Sequence, residues 1–106
     1  MHFKVIWSEP ARNDLRSLVE YISYDDKETA RRIGTEIYEA VGKLSELPNR
    51  SRLVPELRLY NNISFREILI SVWRVIFTVM NDTVLVYAVL DSRQNVSDIL
   101  SKRLVL

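Results

Sequence analysis

The sequence predicts an α+β fold: a mostly antiparallel sheet with a helical hairpin packed on one face, in the order β-α-α-β-β-β. Three observations predict it. A short β-branched and aromatic run opens the chain at residues 3–7. Two stripes of apolar residues at helical spacing follow, joined by a short connection. From Phe65 the apolar period changes to two, and no glycine or proline interrupts residues 65–91. At 106 residues, 47% of them hydrophobic, the chain predicts one domain, 1–106, with a core of its own.

Phe3-Lys4-Val5-Ile6-Trp7 reads as a strand. Ser8 then caps a helix, and Pro10 suits its first turn, where a missing N–H costs nothing. Ala11, Leu15, Leu18, Val19 and Ile22 form the apolar stripe of that helix, with Arg12, Asp14, Arg16 and Glu20 on the opposite face. Asp25-Asp26 breaks the pattern and caps a second helix, whose stripe is Ala30, Ile33, Ile37, Val41 and Leu44. Gly34 and Gly42 cost this helix about 1 kcal/mol each relative to alanine, unless they permit close approach to the first helix. The short connection implies an antiparallel pair. Pro48 stops the second helix, and residues 48–64 predict a loop. Three strands follow at 65–70, 72–80 and 83–91, linked tightly at Ser71 and through the hairpin signal Asn81-Asp82. Ile99, Leu100 and Leu104 suit a final helical turn.

Composition excludes several chemistries. There is no cysteine, hence no disulfide framework and no thiol metal site. His2 is the single histidine, which rules out a histidine triad or a multi-histidine metal centre within the chain. Glu36, Glu39, Asp25 and Asp26 are explained by helix solvation and capping, so no metal is expected. Without a glycine-rich phosphate loop, no nucleotide cofactor is expected either. No apolar run reaches the ~18 residues of a membrane span. The start of the chain has no signal-peptide layout, so the expected location is cytoplasmic. Tyr21, Tyr24 and Tyr38 read as packing residues.

The net charge is only +1, but residues 48–74 hold five arginines (50, 52, 58, 66 and 74) against Glu56 and Glu67. Arginine forks suit phosphate and carboxylate recognition. Arg74 lies in the otherwise apolar stretch Ser71–Val79. Alternation places Trp73, Val75, Phe77 and Val79 toward the helices. Val72, Arg74, Ile76, Thr78 and Met80 then share a half-exposed face. On this reading Arg74 lies near Arg66 and pairs with Glu67 or Asp91. As an exposed pair it would contribute little, so Arg74→Ala should cost within ~1 kcal/mol.

Taken in order, several short pieces carry a resemblance. They are Trp7-Ser8-Glu9-Pro10-Ala11 with Asp14-Leu15, Tyr21-Ile22, Ala30, Leu47-Pro48, and Arg52 with Pro55-Glu56-Leu57. Phe65-Arg66-Glu67-Ile68 and Trp73-Arg74-Val75-Ile76-Phe77 complete the set. Nearly the whole chain resembles the RelE/ParE superfamily of bacterial type II toxins, and the first helix and the arginine-rich segment resemble its ParE branch. The resemblance implies a toxin neutralised by a cognate antitoxin, ParD-like or other, that inhibits DNA gyrase by binding and serves plasmid stabilisation. The alternative is a RelE-like ribosome-dependent mRNA endonuclease, whose partners are the ribosome and mRNA. In that case Arg74, Arg66 and Arg93 are the catalytic candidates. Ile68, Gln94 and Leu100 fall where that branch carries further basic residues and a C-terminal tyrosine, so its general acid–base set is incomplete. Asp91 replaces a histidine found in many ParE-like proteins. For the target contact the expectation is Arg93, Lys102 and Arg103, then Arg50 and Arg52. For the antitoxin it is the apolar face Val72, Ile76 and Met80, together with the outer groove of the helical hairpin.

Overall fold

The helical hairpin comes from the first half of the chain and most of the sheet from the second. The computed structural model describes residues 2–57 and 63–104; Arg58, Asn61 and Asn62 of the expected loop lie outside the described residues. Strand β1 (Lys4–Trp7) leads into α1 (Glu9–Ser23), where the Ser8 hydroxyl accepts the Ala11 N–H at 3.1 Å. Asp26 caps α2 (Lys27–Gly42), accepting the N–H groups of Glu28 and Thr29. A 3₁₀ turn at Lys43–Ser45 extends α2, and Pro48 opens a second one at Pro48–Arg50.

The predicted loop is more structured than its prolines and asparagines suggest. It contains a two-residue strand, β2 (Arg52–Leu53), and a 3₁₀ turn, Pro55–Leu57. Next come β3 (Phe65–Ile70), β4 (Trp73–Met80) and β5 (Thr83–Asp91), then α3 (Val96–Leu104). Tight turns link β3 to β4 and β4 to β5, with Ser71 and Asn81 in the left-handed region at φ 55° and 57°. The sheet order is β1-β5-β4-β3-β2; β1 runs parallel to β5 and every other pair is antiparallel.

Two cores form, one on each face of the sheet. Toward the hairpin, Ala11, Leu18, Ile37 and Val41 meet Val75, Phe77, Val84 and Val86. On the far face, Val54 and Leu57 from the segment before β3, and Val96 and Leu100 from α3, meet Phe65, Ile76, Ala88 and Leu90. The far face is therefore covered, where alternation alone predicts a half-exposed one. A bulge in β5 makes both cores possible. Ile76 pairs with Ala88 but Phe77 pairs with Val86, so Tyr87 is an extra residue. The bulge shifts the phase of β5, so Val84, Val86 and Val89 all reach the hairpin side while Ala88 and Leu90 reach the other.

Candidate functional site

The basic stretch of the sequence gathers at the β2 edge of the sheet and folds largely onto itself. Glu67 is the hub. Its side chain is fully buried and stands opposite Arg52 in the β2–β3 register. Arg52 donates to it through Nε at 2.6 Å, and Arg74 through Nε at 2.7 Å. The rest of the Arg74 fork is bidentate to Glu56, with both Nη atoms at 2.8 Å from the carboxylate. Planar two-point pairing of this kind is the strong geometry for arginine. Arg74 holds the Glu56 carboxyl down to about 2. Glu56 in turn stabilises the charged guanidinium, raising its pKa against the desolvation that burial imposes.

Arg74 thus lies on the face away from the hairpin, as alternation predicts, but it is buried rather than exposed. The reason is the cover supplied by residues 54–57 and α3. Its partners are Glu67 and Glu56; Asp91 instead chelates Arg93, which lowers the Asp91 carboxyl to about 2. Nor is Arg66 beside Arg74. Its register partner is Phe77 of the hairpin-side core, so Arg66 points to the opposite face and donates to the Ser51 carbonyl at 2.6 Å. The three arginines an endonuclease would use are therefore not assembled. Arg74 is saturated by carboxylates, Arg66 faces the other way, and Arg93 lies beyond the end of β5.

A second ionic cluster holds α3. Strand β1 pairs with β5 only as far as Val86, which leaves the outer edge of residues 87–91 without a strand partner. Asp14 of α1 accepts the Val89 N–H at 2.9 Å, and Arg103 of α3 donates to the Tyr87 carbonyl at 3.0 Å. The two side chains join at 2.7 and 2.8 Å, closing the edge. Asp14, assigned by periodicity to the solvated face, and Arg103, expected at a target contact, are instead internal fasteners. Lys102 is exposed on the same helix, as are Arg93 and Arg50 on their turns.

The expected apolar face does not form a single patch. Val72 and Met80 are half-exposed, but Ile76 between them is sealed under α3 in the second core. Val72 and Met80 stand about 26 Å apart along an extended strand. The helical hairpin does carry a cleft, of about 1000 Å³, lined by the apolar and aromatic Trp7, Leu15, Val19, Ala30 and Tyr38 and by the charged Arg12, Arg16, Arg31, Glu20 and Glu39. Tyr38 stacks on Trp7 there, with ring centroids 6.3 Å apart. Tyr21 and Tyr24 are not packing residues, being 77% and 80% exposed. Among the described residues no cluster of histidine, cysteine, aspartate and glutamate could hold a metal, and no helix is long and apolar enough to cross a membrane.

The sequence reading missed Glu56. The available signal was charge arithmetic: two acids among five arginines invite pairing, but the chain does not say which pairs form.

Residues 5–96 match the family described as "ParE toxin of type II toxin-antitoxin system, parDE". No curated protein matches the chain in sequence. Among solved structures, one similar chain is described as the chromosomal ParDE TA system from P. aeruginosa. It is 18% identical, with a TM-score of 0.67 over 85% of this chain and 96% of that one. Another is the E. coli toxin RelE, as a double arginine-to-alanine mutant in the free state. It is 17% identical, with a TM-score of 0.62 over 99% of this chain and 100% of that one. At these identities the two structures establish a shared fold.

Proposed function

This chain belongs to the ParE toxin family of type II toxin–antitoxin systems, and on that premise we propose that it acts in the cytoplasm by binding and inhibiting DNA gyrase. The observation that carries this reading is the saturation of Arg74 by Glu56 and Glu67. A phosphate-cleaving site gains from unopposed positive charge. Here Arg74, the first candidate for such a site, spends its fork on the chain's own carboxylates. A binding mode of action needs no general acid–base pair, and among the described residues Arg74, Arg66 and Arg93 are not brought together.

Of the cations expected at a target, Arg50 and Lys102 are exposed, Arg93 is exposed but paired with Asp91, and Arg52, whose side chain is 55% exposed, meets Glu67 through Nε alone. A cognate antitoxin neutralises the toxin by laying an amphipathic segment into the cleft of the helical hairpin. Apolar side chains of that segment cover Trp7 and Tyr38, and its charges complement the three arginines, Arg12, Arg16 and Arg31, and the two acids, Glu20 and Glu39, of the cleft. Val72 and Met80 would add flanking contacts at most, and Ile76 none.

Purified toxin tested in two assays decides the matter: supercoiling by gyrase, and translation of a reporter mRNA on ribosomes. Loss of supercoiling with intact mRNA is the expected result. Cleaved mRNA with unaffected gyrase would replace the proposal with the endonuclease reading.

A further inference from the structure

We infer that Arg74 is a positioning residue: it clamps the strap of residues 48–57 so that Arg50 and Arg52 face outward, toward the toxin's target. The inference rests on the reading that these strap arginines contact that target; it does not depend on which target it is.

The strap is seated by Val54 and Leu57 in the second core, but it has little regular backbone structure of its own. Its strand, β2, is two residues long, and the chain on either side is 3₁₀ turn. Beyond that ladder its backbone is tied to the sheet by the Val54 N–H on the Phe65 carbonyl at 2.8 Å and by Arg66 on the Ser51 carbonyl at 2.6 Å, while the Arg50, Ser51 and Leu57 N–H groups make only local turn bonds. Added to these is an ionic circuit. The circuit leaves the strap at Arg52, passes through Glu67 on β3 and Arg74 on β4, and returns to the strap at Glu56. Both halves of the strap are therefore tied to one buried pair.

Two features point to orientation rather than simple cohesion. First, Arg52 is held through Nε alone, which leaves its two terminal nitrogens turned away from Glu67. Arg74 takes the other oxygen of the same carboxylate, which fixes the direction in which Glu67 meets Arg52. Second, the Arg74 fork grips a residue that is itself partly exposed, Glu56, at 38%. An apolar contact would bury that turn as well or better. A bidentate ion pair adds a fixed direction, which an apolar contact does not.

The test uses the full chain in two variants. Arg74→Lys keeps the charge but offers a point donor in place of a fork. Glu56→Gln keeps the size and removes the charge, and it leaves the Arg52–Glu67–Arg74 chain intact, so it decides the matter if the lysine variant does not fold. Hydrogen exchange reads the strap, and growth arrest on induced expression reads toxicity without reference to a particular target. The Val54 and Leu57 amides should exchange about tenfold faster, while those of α1 and β5 keep their protection. Growth arrest should weaken in parallel, and Arg50→Ala should weaken it without changing strap exchange.

Unchanged strap exchange in both variants would overturn the clamp. Equal loss of protection throughout the chain would reduce Arg74 to a general stabiliser. A loosened strap with undiminished arrest would sever the link to the target, as would an Arg50→Ala variant of full toxicity. Failure of the gyrase proposal appears separately, as unimpaired supercoiling in the presence of an arrest-competent toxin.

Discussion

Arg74 places three nitrogens on two carboxylates in an environment where its side chain is only 9% exposed. That reverses the expectation for an exposed pair. Removing one member of a buried, hydrogen-bonded pair leaves the other desolvated without compensation, a loss on the order of 3–5 kcal/mol. Glu67 would retain Arg52, so Arg74→Ala should cost about 3 kcal/mol, toward the lower end of that range. Urea unfolding at neutral pH checks this; a loss below about 1 kcal/mol would mean that the pair behaves like one on the surface. The two glycines of α2 provide a paired prediction. A Cβ on Gly34 would stand 2.9 Å from the Val19 Cγ2 methyl, whereas one on Gly42 would meet nothing within 4 Å. Gly34 is therefore the close-approach position between the helices and Gly42 is not. Gly42→Ala should stabilise the protein by about 0.4–1 kcal/mol. Gly34→Ala should destabilise it, because crowding against Val19 outweighs the gain in helix propensity. Thermal unfolding of the two variants side by side tests both signs.

Among the elements, α3 is the one whose role differs most from expectation. Its basic residues suggested a tail that reaches for a target. In the structure its apolar side, Val96 and Leu100, completes the second core, and Arg103 fastens it to Asp14 across the open edge of β5. Removing residues 97–106 would therefore unroof the sheet as well as delete cations. Point substitutions separate the two effects. Leu100→Ala, at a fully buried site, should cost about 2–5 kcal/mol. Asp14→Ala leaves the Val89 N–H without its acceptor and the Arg103 guanidinium with the Tyr87 carbonyl alone, and should cost about 2–3 kcal/mol. Its signature is local: the Val89 amide should lose exchange protection before the β3–β4 ladder does. Lys102→Ala, on the exposed side of the same helix, should leave stability within about 0.5 kcal/mol and so reports on target contact alone.

For the whole molecule, the ionic clamps predict how stability responds to acid. The folded pKa of Glu56 is depressed from an ordinary 4.5 to about 2 by Arg74. A depressed carboxylate contributes stability that is complete above its unfolded pKa and is lost as pH falls through the folded one. The denaturation midpoint should therefore hold from neutral pH down to near 4.5 and fall between there and about 2. Glu56→Gln should lower the midpoint at neutral pH, and its gap from the parent should close across the same window. A gap that persists unchanged to the acid limit would show that Glu56 contributes through shape rather than charge. The sequence by itself determined the two helices and their caps, the three strands from Phe65 to Asp91 with the tight turns that join them, and the inward stripe of β4. Each depends on residues a few positions apart, and local periodicity and capping chemistry report such spacing directly. It also carried the family, through short motifs kept in order. Tertiary structure alone decided the bulge at Tyr87, the parallel placement of β1 on β5, the second core under α3, and the partners of Arg74, Asp14 and Arg103. Those choices join residues as far apart as Asp14 and Arg103. A charge in the sequence shows that a partner is needed, and only the folded chain brings a particular carboxylate within 3 Å.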